Sequence, residues 1–127
     1  MQPKHPDYFF AAKCVFRVKA IEDGKPVSMF EERITFVKCR EFADAFKKAE
    51  KLGRKYAEDD ITGKRRTTFL ACVGVFIVQD PIEDGVEIFS MLRRSNVPSK
   101  KYLRIHYQTG SEFDSFLFQS GRGNSMD

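Results

Sequence analysis

The sequence predicts an α+β domain: a four-stranded antiparallel sheet of ββαββ order, strands arranged 2-1-3-4, one amphipathic helix packed on one face, and a C-terminal extension. The first two observations behind this are changes of hydrophobic period. Residues 8–38 carry apolar side chains at alternate positions, residues 40–57 carry them three and four apart, and residues 67–94 return to strand-like runs. The third is an Asp-Gly pair in each flanking region, Asp23-Gly24 and Asp84-Gly85, which supplies the positive-φ chemistry of tight turns.

In "YFFAAKCVFRVKAI" (8–21), Phe10, Ala12, Cys14, Phe16, Val18 and Ala20 form one face, and Lys13, Arg17 and Lys19 point the other way. That is a strand with one core face. A hairpin at "EDGKP" leads into "SMFEERITFVK", where Phe30, Ile34 and Phe36 share a face with Glu32, and Glu31, Arg33 and Thr35 share the other. From Glu41 the apolar residues Phe42, Ala45, Phe46, Ala49, Leu52 and Tyr56 fall on one side of a helix whose other side is basic. Gly53 lies at the edge of that stripe, where it costs helix propensity and permits close approach to a sheet. After a polar loop turning at Gly63, "TTFLACVGVFIVQD" (67–80) is apolar on both faces and so needs cover on two sides. The turn "DPIEDG" then returns the chain into a fourth strand, "VEIFSMLRR".

Two hairpins joined by a helix make the third strand antiparallel to the first, which sets the order 2-1-3-4 and leaves the charged second strand at an edge. The helix covers one face. The other is left for the C-terminal segment from Tyr102 to Phe118, a second copy or a partner. The length of 127 residues fits a single domain over 1–118, with its core in 8–94 and an extension in 95–118; residues 119–127 read as a flexible tail.

No stretch approaches the roughly 20 apolar residues of a membrane span, and no leader pattern stands at the start, so the expectation is a cytoplasmic protein without membrane contact. Cys14, Cys39 and Cys72 have no CxxC spacing and read as free thiols; with His5 and His106 they make no metal-ligand pattern. Phosphate-binding glycine loops, a nucleophile elbow and a zinc-protease helix are absent. The expectation is therefore no enzyme and no cofactor. Glu32, a carboxylate on an apolar face, is the one candidate acid or base, and it demands a basic partner or a place at the sheet edge.

Two surfaces are candidates for binding. A protein partner would use the Glu31 and Arg33 surface, or Val73, Val75 and Ile77 where these are uncovered. An anionic ligand or nucleic acid would use Lys64, Arg65 and Arg66 with Arg93 and Arg94, gathered at one end of the sheet by the expected fourth strand. The net charge of +4 is a mild bias, with 18 acidic residues interspersed among 22 basic ones, so nucleic acid is the lesser reading.

Four segments in order, "YFFAAKCVFRV", "FEERITFVKC", "EFADAFKKAEKLGRKY" and "FLACVGVFIVQDPIEDGVEIFSMLRR", resemble the bacterial domain-of-unknown-function family numbered 4288 over residues 8–94. That family pairs a Glu-Glu-Arg hairpin and an Ala-rich helix with a closing Asp-Gly-x-Glu-Ile-Phe strand. The resemblance implies no activity, cofactor or catalytic residue. It suggests a small bacterial protein-binding module, with an immunity protein that neutralises a cognate toxin as one form, and a homodimer through an uncovered apolar face is compatible with that.

Overall fold

The computed structural model describes residues 7–59, 61–107 and 109–112. Its elements are β1 (Tyr8–Glu22), β2 (Lys25–Cys39), α1 (Phe42–Asp59), β3 (Ile61–Thr62), β4 (Arg65–Val78) and α2 (Ser99–His106). The chain divides into two compact units, 1–91 and 92–127. Calls on His5 and on the segment 113–127 lie outside the described residues.

The first unit is an antiparallel sheet of three long strands in the order β2-β1-β4, to which the two-residue β3 adds only the closure of the turn into β4. Asp23 and Gly24 both have positive φ, 52° and 76°, so the β1–β2 turn has the mirror-image twist that suits a two-residue hairpin, and β1 and β2 pair from Glu22↔Lys25 to Tyr8↔Cys39 without a break. β4 takes the place beside β1 that the sequence assigns to the third strand. The expected fourth strand is absent: the turn forms, with Gly85 at φ 89°, but residues 86–94 adopt no regular structure. β4 explains why. Its register against β1 slips between Lys13 and Cys14 and again between Val15 and Phe16, skipping Val73 and Leu70. Two bulges thus interrupt the ladder that β4 makes with β1, and bulges bend and twist the strand that carries them. Phe89 instead seats its ring on the sheet surface, 3.4 Å from where a Cβ on Gly74 would stand and 6.5 Å from the Phe76 ring.

The bulges also overturn the strict alternation read through 67–80. Phe69 pairs with Phe16, Cys72 with Cys14, Val75 with Ala12 and Ile77 with Phe10, so these four share the helix side. There Phe10 and Phe16 are fully buried, each contributing about 1.5–3 kcal/mol. Phe10 meets Phe42 edge-on at 5.0 Å, and Phe16 meets Tyr56 at 5.1 Å and Phe69 at 5.7 Å.

α1 lies on this face through small residues. Ala45, Ala49, Gly53 and Ala57 are its buried positions, spaced four apart, whereas Phe42, Phe46 and Leu52 of the predicted stripe flank the contact and stay half-exposed. A Cβ on Gly53 would stand 2.7 Å from the Phe69 ring, so the close approach expected of this glycine is real. In the second unit "YLRIH" belongs to a short helix, α2, where the Arg93 guanidinium donates to the Tyr102 hydroxyl at 2.6 Å. Among the described residues no helix is long and apolar enough to cross a membrane.

Candidate functional site

The sheet face opposite α1 follows from the hairpin register. Phe9, Ala11, Lys13, Val15, Arg17 and Lys19 of β1 lie on it, and β2 sets Lys38, Phe36, Ile34, Glu32, Phe30 and Ser28 beside them in that order. On the β4 side this face is partly covered: Ala11 has no exposure, and Phe89 lies against Gly74 and Phe76. On the β2 side it is open. Phe30 is 59% exposed, and Phe9, Ile34 and Phe36 are between 42% and 47% exposed.

Charge on the open half is tied to the rings or to other side chains. Lys13 Nζ lies 2.7 Å from Glu32 Oε1. The Arg17 guanidinium stacks 4.2 Å over Phe30 while donating to Ser28 Oγ at 2.7 Å, and Lys38 Nζ stands 5.5 Å from the Phe9 ring, which meets Phe36 edge-on at 5.9 Å. The result is an apolar patch with cations over its rings, the surface type that marks interaction sites in soluble domains.

The residues chosen from sequence are distributed differently. Val75 and Ile77 are packed against the core beneath α1, so they are not the uncovered residues that a binding role required; the two bulges cancel, and both residues share the helix side with Phe69. Val73, skipped by the pairing, is 57% exposed. Glu31 and Arg33 lie on the helix side, where Tyr56 Oη donates to Glu31 Oε1 at 2.7 Å, Arg33 stacks 3.8 Å over the Tyr56 ring, and Arg33 Nη1 and Arg65 Nη2 approach Glu31 at 3.5 Å and 3.9 Å. This cluster holds the end of α1 to β2. Glu32 has found the basic partner it required, and it lines neither of the described clefts.

At the hairpin end an open cleft of about 570 Å³ is lined by Arg17, Lys19, Ser28, Lys64, Arg65 and Arg66, among others. Lys64, Arg65 and Arg66 are thus together. Arg93 and Arg94 were to join them through a fourth strand; that strand does not form, and both belong to the second unit. Sequence reading missed Arg17 and Lys19 as members of this set, although Lys19 pairs directly with Arg66. It also missed Phe9, Phe30, Ile34 and Phe36 as an exposed group. Their alternation was visible, but not which side the helix would take.

Among the described residues no group of three or more His, Cys, Asp and Glu side chains comes together as a metal site. Cys14 is buried, and burial, with Cys72 beside it, pushes its thiol up to about 12.

No curated protein and no solved structure matches the chain. A family model does match, over residues 9–90, from the first aromatic of the open face through Phe89 at its partly covered edge, and the chain belongs to that family, the domain of unknown function DUF4288.

Proposed function

We propose that the first unit is a non-catalytic protein-binding module whose binding face is the open half of the outer sheet surface. The carrying observation is the group Phe9, Ile34 and Phe36, with Phe30 beyond the Lys13–Glu32 pair, exposed on a regular sheet rather than on loops. A rigid strand pair presents these rings without ordering cost, which favours tight association. The fitting partner has an apolar centre and an acidic rim, because Arg17, Lys19 and Lys38 border the rings. An immunity protein that occludes a toxin is one form of such a module, since occlusion needs area rather than reactive groups.

The test is affinity capture from the encoding organism at low and high salt, with the native chain and with Phe9→Ser/Phe36→Ser. A stoichiometric protein kept at high salt by the native chain and lost with the double variant is the expected result. Equal capture by both would refute the assignment of the face.

A second reading rests on the basic cleft: Lys19 and Arg66 face one another across β1 and β4, with Arg17 and Lys64 nearby, and could hold phosphates. It requires nucleic acid or polyphosphate binding that falls steeply with salt and is abolished by Lys19→Glu/Arg66→Glu. Binding unchanged in that variant would exclude it.

A further inference from the structure

β2 is an edge strand of 15 residues, paired on one side with β1 and carrying no bulge, with its single proline at the second position. Natural edges of that length are normally blunted, and the register shows what this one offers. The two-residue turn closes on Glu22 and Lys25 as a hydrogen-bonded pair, so odd-numbered residues of β2 direct N–H and C=O toward β1 and even-numbered residues direct theirs outward. Two contacts agree with this parity. Lys48 Nζ donates outward to the Lys38 carbonyl at 2.9 Å, and on the opposite side of β1 the Ile21 N–H donates to the Lys64 carbonyl at 3.0 Å.

We infer that β2 pairs antiparallel with β2 of a second copy of this chain, about a two-fold axis through Glu32, to give one continuous sheet. Outward groups on even residues require even residues to face even residues, so the registers open to the pair differ by steps of two. The register centred on Glu32 sets Glu31 against Arg33 of the second copy, twice by symmetry, and Phe30 against Ile34, also twice. A step one way sets Glu31 against Glu31; a step the other way sets Arg33 against Arg33. At the axis the two Glu32 carboxylates meet, each already paired with its own Lys13 at 2.7 Å. Residues 28–36 then supply about ten main-chain hydrogen bonds across the seam. The charge that would otherwise discourage edge pairing becomes its register code, and because the axis is perpendicular to the sheet, the two open faces join on one side.

This inference does not depend on the partner-binding reading. Phe9 lies on β1, away from the seam, so Phe9→Ser tests that reading and leaves the dimer intact. The experiment uses the full chain. Sedimentation should show a dimer, and Arg33→Glu should weaken it by roughly tenfold, since cross-strand charge pairs contribute modestly and two are reversed. The exchange Glu31→Arg/Arg33→Glu should restore it. Because both residues also hold Tyr56, a second variant avoids them: Glu32→Cys in a Cys39→Ser/Cys72→Ser background. Opposed residues of a hydrogen-bonded pair stand about 5.5 Å apart at Cα, within disulfide reach, so mild oxidation should cross-link this variant and leave the Ile34→Cys dimer without a cross-link. A folded chain that stays monomeric at millimolar concentration, or a dimer in which Glu32→Cys fails to cross-link, would overturn the proposal.

Discussion

Replacing Gly53 by alanine measures how tightly α1 is seated on the sheet. In the middle of a helix this substitution ordinarily stabilises by about 1 kcal/mol through propensity. Here the new Cβ would stand 2.7 Å from Cδ1 and Cε1 of Phe69 and 3.5 Å from Cζ of Phe16. Ordinary carbon contacts are about 3.5–4.0 Å, so the Phe69 ring must retreat by about 1 Å. It has little room, with Phe16 edge-on at 5.7 Å and the Arg54 guanidinium 4.8 Å over its face. Overpacking of this kind costs about 1–3 kcal/mol, and the upper half of that range applies because the ring is held on both sides. The net expectation is a loss of about 1–2 kcal/mol, read in urea as a midpoint lowered by about 0.5–1 M with unchanged slope. Adding Phe69→Leu should relieve the clash, so the double variant should be more stable than the sum of the two single losses by about 1 kcal/mol. A Gly53→Ala protein as stable as the native chain, or more so, would refute the close seating of α1.

The two sheet faces predict opposite responses to truncation. Phe10→Ala should lose about 3–5 kcal/mol, while Phe30→Ala, measured in dilute solution, should stay within about 0.5 kcal/mol of the native value; a large loss at Phe30 would place its ring in the core. Cys14 should resist iodoacetamide at neutral pH until urea unfolds the chain, and labelling under native conditions would contradict its burial. Its raised thiol also gives a pH dependence. The folded state binds this proton more tightly than the unfolded chain, so the contribution is fully present below about 9.0, the ordinary value, and is lost as pH rises through about 12. The urea midpoint should therefore fall as pH rises from about 9 toward about 12, and fall less in Cys14→Ala.

Much of the first unit was legible because its signals are local. β1 has one unbroken apolar parity from Phe10 to Val18, the Asp23-Gly24 turn fixes its hairpin, and the period change at Glu41 places α1. The stretch 65–78 was legible as a strand but not in its faces. A bulge leaves no mark when both bulged residues, Leu70 and Val73, are as apolar as their neighbours. Val75 and Ile77 keep the face of Phe69, as plain alternation gives; what the segment did not show was that the helix covers that face. "VEIFSMLRR" has strand composition, yet Phe89 is better served by lying over Gly74 than by extending a ladder already broken by bulges, a tertiary preference with no signature in the segment itself.

β2 carries the sharpest conflict between pattern and structure, and the functional reading comes from it. Taken alone, its alternation would turn Phe30, Ile34 and Phe36 inward and Glu31 and Arg33 outward. The hairpin decides otherwise: with Glu22 opposite Lys25, the odd residues of β2 must share a face with the even residues of β1, and that face is the core because it carries Phe10 and Phe16. A one-residue slip would reverse every β2 side chain, and the two-residue turn forbids it. The charged parity is accommodated under α1 by the Tyr56 hydroxyl and ring. The apolar parity stays between 42% and 59% exposed. Since fully burying such a side chain is worth about 1.5–3 kcal/mol, the isolated chain leaves a few kcal/mol unrealised across these three residues. A surface that covers them would recover that free energy, so the exposure on which the proposed binding face rests is a consequence of turn geometry rather than of the composition of β2.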